Sequence, residues 1–337
     1  MYQSISTFFI LLCLTFSSPA NACDVERPIT FAGLDWQSNA VHTAIAEFIL
    51  NEGFDCRTEV IPGTTIPLLQ GVARGDIDIV MEVWPDTVNV MWNRGLRDGK
   101  VIEIGVNFEG ASQGWYVPAY MVTGNNALAP ELKSVTDLIK YQNLFTDPEE
   151  PKKGRFYNCI AGWNCEIINS AKLKAYGLSQ YYTNFRPGTG VALSAAIVSA
   201  YKKRQPILTY YWSPTWLLGK YEMVKLEEPV YDSEVFSNLI KQKNPQQASA
   251  YPLINVVIGA NLRFAEDAPT VVDFLKNYQT SVDIVNELLA NMYDRKLDAK
   301  VAAIYFLKKY KDYWYTWVEP IARDKILLAL DTVGEPK

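Results

Sequence analysis

The sequence predicts an α/β fold of two lobes, each a mainly parallel sheet flanked by helices, with a two-strand hinge between them. Strand-like and helical segments alternate from Ile29 onward, which implies right-handed βαβ units on parallel strands. A second alternating region, from about Asn125 to Ser249, is bracketed by two extended apolar stretches, Gly114 to Val122 and Tyr251 to Gly259. Length gives the third reason. Once an amino-terminal segment is set aside, roughly 315 residues remain, too many for one small core and enough for two lobes of about 150 each.

The segment set aside is residues 1–22. Phe8 to Phe16 is an almost unbroken apolar run, and Ala20-Asn21-Ala22 is a small-residue cleavage site, so a secretory signal is expected, with only the terminal amine as positive charge ahead of the run. The run is shorter than the roughly 20 residues of a membrane span, and no later stretch reaches that length without charge or proline. Ala20 stands where a lipid-attachment site before Cys23 carries a bulky aliphatic residue, which argues against a lipid anchor. The expected organisation is a signal at 1–22, the first part of lobe I at 23–120, an inserted lobe II at 121–250, and the rest of lobe I with carboxy-terminal helices at 251–337.

Within lobe I, Ile29 to Leu34 reads as a strand. Val41, Ile45, Phe48 and Ile49 then recur at helical spacing, with Ser38 as the expected cap and Gly53 as the stop. Cys56 to Ile61 is a second strand, Gly63 to Gly75 a helix with Ile66, Leu69, Gln70 and Val72, and Ile77 to Val83 a third strand. Trp36 and Trp84 fall just past the carboxyl ends of the first and third strands, where open α/β sheets hold ligands. The inserted region carries helical patterns at Cys165 to Tyr176 and Val191 to Lys202 and a strand at Pro206 to Tyr211. From Ala265 the chain reads as helical, with Val282, Val285, Leu288, Leu289 and Met292 on one apolar face.

Four cysteines remain after Cys13 leaves with the signal, and an even number suits an oxidising compartment. They allow 3 pairings. Cys159 and Cys165 are close, with a glycine between, so a small closed loop is the easy choice, leaving Cys23 for Cys56.

Composition excludes several functions. The net charge is -5, with no basic stripe for nucleic acid and no charge run for an acidic membrane surface. The one histidine, His42, lies beside core positions and reads as structural. There is no metal-ligand cluster, nucleophile elbow, phosphate-binding loop or dinucleotide fingerprint, so neither catalysis nor a cofactor is expected. Gly188-Thr189-Gly190 could offer backbone N–H groups to an anion, but such a turn is usually only a turn.

The unusual quantity is aromatic: 9 Trp and 20 Tyr. Several tryptophans stand beside turn residues at strand ends rather than in helical stripes. Trp84 precedes Pro85, Trp163 lies between Cys159 and Cys165, and Trp212 follows Tyr210-Tyr211 and precedes Ser213-Pro214. Tryptophans so placed point toward a cleft more readily than Trp314 or Trp317 in helical patterns, with core packing as the competing explanation for each.

These residues carry a resemblance. Glu82-Val83-Trp84-Pro85, Gly110-Ala111-Ser112-Gln113-Gly114, Cys159 to Glu166 with Trp163 inside, and Tyr210-Tyr211-Trp212-Ser213-Pro214 are ordered and spaced over nearly the whole mature chain as in glycine betaine binding proteins of osmoprotectant ABC importers. The chain resembles that family, which has choline- and trimethylamine-oxide-binding relatives. The resemblance implies a periplasmic binding protein fold of type II-like architecture and an aromatic box of Trp84 from lobe I with Trp163 and Trp212 from lobe II. It also implies that backbone N–H groups of Asn164 and Cys165 hold a ligand carboxylate. Glu166 opens the next helix and reads as a helix-start residue rather than a ligand contact. Trp36 and Trp115 resemble positions that complete the box in some members, with packing as the alternative for each. Val88 replaces a histidine that helps bind the carboxylate in enteric members, which favours ligands with a smaller or absent anionic group. The expected partners are a small methylated ammonium ligand and a membrane permease, with the binding protein acting as a monomer. The competing classes are an enzyme acting on a trimethylammonium compound, which needs a base, nucleophile or metal at the box, and a binding lobe that feeds a sensor.

Overall fold

The structure, a computed structural model, describes residues 23–85 and 88–333, so the expected signal at 1–22 lies outside the described residues. Among the described residues eight strands form one continuous path in the order β2-β1-β3-β9-β4-β7-β5-β6, and a ninth, β8, pairs with β4 off that path. Its first part comprises β1 (Ile29–Leu34), β2 (Thr58–Gly63), β3 (Ile79–Val83), the start of β4 (Val101–Pro118) and β9 (Ile254–Asn261). Its second part comprises the end of β4 with β5 (Gly154–Tyr157), β6 (Tyr182–Phe185), β7 (Leu208–Ser213) and β8 (Met223–Lys225).

The sheet is mixed for a reason visible in its order. Strands joined through helices, β1 with β2 and β3, and β5 with β6 and β7, pair in parallel. Pairing is antiparallel around β4 and β9, where the chain crosses from one part to the other. β4 is 18 residues long and changes partner midway, from β9 up to Ala111 to β7 from Ser112. The crossing thus begins earlier than Gly114. It also ends earlier than Val122: Pro118 closes the strand, and Ala119–Val122 forms a turn of helix whose first N–H donates to Glu222 O at 2.8 Å.

The first part of the sheet is covered on both faces. Helix α1 (Gln37–Phe54) buries Val41, Ile45 and Ile49 on one side with Phe31 and Met81. On the other side α2 (Thr65–Arg74) and α3 (Asn89–Arg97) bury Leu69, Val72 and Trp92 with Leu34 and Val80. Two expectations about α1 need correction. Ser38 does not cap it: the helix opens a residue earlier, Trp36 holds the cap position without a side-chain cap bond, and Ser38 is buried in the first turn. Gly53 does not stop it either. The stop is Asp55, in the left-handed region at φ 53, while Gly53 admits helix Pro320–Thr332, because a Cβ there would stand 2.9 Å from Ile326 Cδ1.

In the second part, α4 is the Ala119–Val122 turn, and α5 (Asn164–Ala175), α6 (Gly190–Lys202) and α7 (Trp216–Lys220) follow the loops after β5, β6 and β7. Helix Val282–Arg295 buries Val285, Leu288, Leu289 and Met292, the face read from the sequence. Cys23 pairs with Cys56 and Cys159 with Cys165. Among the described residues no helix is long and apolar enough to cross a membrane.

Candidate functional site

Four tryptophans from four different segments meet at one cavity. Trp36 follows β1, Trp84 follows β3, Trp163 sits at the cap position of α5, and Trp212 lies near the end of β7. Each leaves a strand or enters a helix at the carboxyl edge of the sheet, where chain reversal exposes side chains to a crevice. The loop before α5 is shaped by Gly162, whose φ of +95 only glycine adopts without strain and whose Cα hydrogens pack on Thr64 of the opposite part.

The cavity is lined by all four indoles with Thr65, Leu69, Glu82, Val83, Val88, Gln113, Asn164, Cys165 and Tyr210. Trp36 meets Trp163 at 5.5 Å and 77°, and Trp163 meets Trp212 at 5.2 Å and 81°, so three consecutive walls stand nearly perpendicular, as in a box. Tyr210 stacks behind Trp212 at 6.1 Å and 24°. Among the described residues the lining contains no Lys, Arg or His. Three of the walls, Trp36, Trp163 and Trp212, also line a second cavity.

Three of the four indoles are held by their polar edges. Trp163 Nε1 donates to Asp35 Oδ1 at 2.5 Å, linking the loop before α5 to the end of β1. Burial raises the Asp35 carboxyl above its ordinary range, and the indole bond works against that rise. Trp36 Nε1 and Trp84 Nε1 both donate to Glu82 Oε2, at 2.8 and 3.3 Å. Glu82 is 1% exposed, and burial pushes its carboxyl up to about 7 against the pull of bonds from Trp36, Ser38 and Trp84. The sequence quoted Glu82 only as part of a motif. The signal that marks it out is a carboxylate inside the wholly buried strand Ile79–Val83, a position that is costly without partners. Asp35 and Tyr210 are likewise residues the sequence did not single out for the site.

Asn164 and Cys165 line the cavity on the first turn of α5, where backbone donors and the positive end of the helix favour an anionic group. Glu166 turns away to Arg186 Nε at 2.6 Å and Ser170 Oγ at 2.8 Å, as a helix-start residue would. Val88 is buried and lines the cavity, so an apolar surface stands where a histidine was looked for.

Trp115 does not join the box. It lies two residues beyond Gln113 on β4, about 7 Å deeper at strand rise, and is 0% exposed. Its Nε1 donates to Asn169 Oδ1 at 2.8 Å, and its ring packs at 4.2 Å on Phe156. Trp115→Phe, which loses that bond, is expected to destabilise the fold by about 1–3 kcal/mol while changing ligand affinity less than threefold; thermal unfolding and calorimetry on the same protein check both.

His42 is buried with Nδ1 at 2.7 Å from Tyr278 Oη, outside the cavity lining, and burial lowers its imidazole to about 3, so it is neutral. Thr189 spends its hydroxyl capping α6, accepting from Ala192 N at 3.0 Å, which explains the Gly-Thr-Gly turn structurally. Among the described residues no group of His, Cys, Asp or Glu could hold a metal ion.

Known proteins are similar to this chain to different degrees. The chain is 28% identical over 233 residues to the glycine betaine/proline betaine-binding periplasmic protein of Escherichia coli, covering 67% of this chain and 68% of that one. It is 22% identical over 218 residues to the trimethylamine N-oxide-binding protein of Pelagibacter ubique, covering 64% and 68%. Among solved structures, an ABC-transporter choline binding protein in complex with choline superposes with a TM-score of 0.72 at 18% identity, over 92% of this chain and 99% of that one, which shows a common fold. The profile of the substrate binding domain of ABC-type glycine betaine transport systems matches residues 27–309, and the chain belongs to that family.

Proposed function

We propose that this protein is a periplasmic solute-binding protein of an ABC importer, that it captures a small methylated ammonium compound between its tryptophans, and that it hands this ligand to a membrane permease without chemical change. The observation that carries the reading is the three-walled indole box Trp36–Trp163–Trp212, with Trp84 on the same cavity and no basic side chain in the lining among the described residues. A quaternary ammonium donates no hydrogen bond, so indole faces are its best protein partner, at about 0.5–2 kcal/mol per contact depending on desolvation. Three or four such contacts with burial of the methyl groups support micromolar binding, roughly -8 kcal/mol. The first turn of α5, at Asn164 and Cys165, would receive any carboxylate or oxide the ligand carries.

The lobes are assigned as 23–120 with 251–337, and 121–250. On that division the site lies between them, bridged by the Trp163–Asp35 bond and by Ile66 N–H donating to Gly162 O at 3.3 Å. Ligand then stabilises the closed form through its better contacts there, and closure creates the surface a permease reads. His42, the base an enzymatic reading would call on, is neutral and stands outside the lining. The test is titration calorimetry of the mature chain with glycine betaine, choline, carnitine, trimethylamine N-oxide and dimethylsulfoniopropionate. Micromolar binding of at least one is expected, and silence from all five overturns the reading.

A further inference from the structure

Glu82 is more than a hydrogen-bond acceptor for two indoles. Its Oε2 takes both N–H groups, while Oε1 is buried without a hydrogen-bond partner among the described residues, as is the facing His42 Nε2 at 3.9 Å. The groups around it are Ser38 and His42 from α1, Trp36 after β1, Trp84 beside it, and Tyr278 beyond His42. Its ion-pair-range neighbour among the described residues is a neutral histidine rather than a Lys or Arg. A carboxylate placed against a cavity without a resident cation is positioned to meet one that arrives.

We propose that Glu82 is the counter-charge of this cavity, polarising Trp36 and Trp84 through their N–H groups and selecting an occupant of net positive charge over a zwitterion with the same head group. The inference rests on the methylated-ammonium reading above. A charge-assisted N–H···O⁻ bond pushes electron density into the indole, which makes its face more attractive to a cation. A cation with a neutral tail, such as an ammonium alcohol, gains from both the rings and the charge. A betaine carries its own carboxylate close to its ammonium, so repulsion from Glu82 offsets much of that gain. Val88 points the same way, since it supplies no positive group for a ligand carboxylate.

The charge has a pH signature. Because burial holds Glu82 at about 7 in the free protein and a bound cation favours the ionised form, cation binding releases a proton near and below neutrality. Affinity for the cation should therefore rise about tenfold between pH 6 and 8. His42, held at about 3, stays neutral across this window, and Tyr278 is raised far above it. Asp35, bonded to Trp163, is the other carboxyl at the box, so a charge-removing variant is needed to assign the swing.

The experiment measures Kd for choline and for glycine betaine at pH 6 and pH 8 with wild-type protein and Glu82→Gln, which keeps an acceptor for the indoles. The expected result is a tenfold tightening for choline with pH in wild type, loss of that swing and at least tenfold weaker choline binding at pH 8 in the variant, and less than threefold change for betaine throughout. Equal losses for both ligands, or a swing that persists in the variant, overturn the proposal. Should the variant not fold, parallel pH curves for the two ligands on wild type overturn it and divergent curves support it. Absence of binding by either ligand to wild type overturns the methylated-ammonium reading itself, and this proposal with it.

Discussion

Trp163→Ala is expected to weaken binding of a trimethylammonium ligand by about 100-fold or more, equivalent to about 3 kcal/mol. Trp163 is the central wall, meeting Trp36 at 5.5 Å and Trp212 at 5.2 Å, so its removal opens two corners of the box at once. One cation–π contact is lost, worth up to about 2 kcal/mol in a desolvated site, and water gains access to the others. The bond to Asp35 goes as well, leaving a partly buried carboxyl without its indole donor. Trp163→Phe separates these contributions: it keeps an aromatic face and loses the N–H, and an intermediate loss of about tenfold is expected. Calorimetry gives both values, and thermal unfolding of each variant guards against attributing a folding defect to the site.

Lys172→Ala is expected to destabilise the fold by about 3–5 kcal/mol. Lys172 is 0% exposed on α5, its Nζ is 2.6 Å from Glu228 Oε1 and 3.9 Å from the centre of the Tyr251 ring, and Tyr176 Oη donates to the same carboxylate oxygen. Burial lowers the ammonium pKa, while the Glu228 charge works to keep it protonated. Removing the cation strands a buried carboxylate, the costly way to break such a pair, whereas Lys172→Met with Glu228→Gln removes both charges and should cost much less. A midpoint for Lys172→Ala roughly 10 °C or more below wild type in thermal unfolding, with the double variant recovering most of the loss, is the expected pattern. The same helix carries Asn164 and Cys165 at its start, so this network also anchors the turn that lines the cavity.

The alternation of strands and helices was legible because it rests on periodicity, which local sequence carries: Ile29–Leu34 as β1 and the buried face of Val282–Arg295 both follow from spacing alone. Trp84, Trp163 and Trp212 were legible for a related reason, since each stands beside a turn at an element end. What the sequence misplaced depends on distant partners. Gly53 resembles a helix stop until Ile326 is seen packed against it, and Ser38 resembles a cap until it is seen buried in the first turn of α1. Trp115 has the same local look as Gln113 on the same strand, and only the depth of β4 under α5 places one in the core and the other at the cavity. Glu82 was visible as a charge in an apolar strand, but its two indole partners lie on separate segments, 46 and 2 residues away.

The central claim is that these indoles hold a positive charge rather than a merely apolar group of that shape. The direct measurement is calorimetry of wild-type protein with choline and with 3,3-dimethylbutan-1-ol, its uncharged carbon analogue. Apolar burial of the head group is common to the two, so the difference isolates the cation. The account predicts that choline binds at least about 100-fold more tightly, as two or more cation–π contacts require. Equal affinities for the two would contradict it.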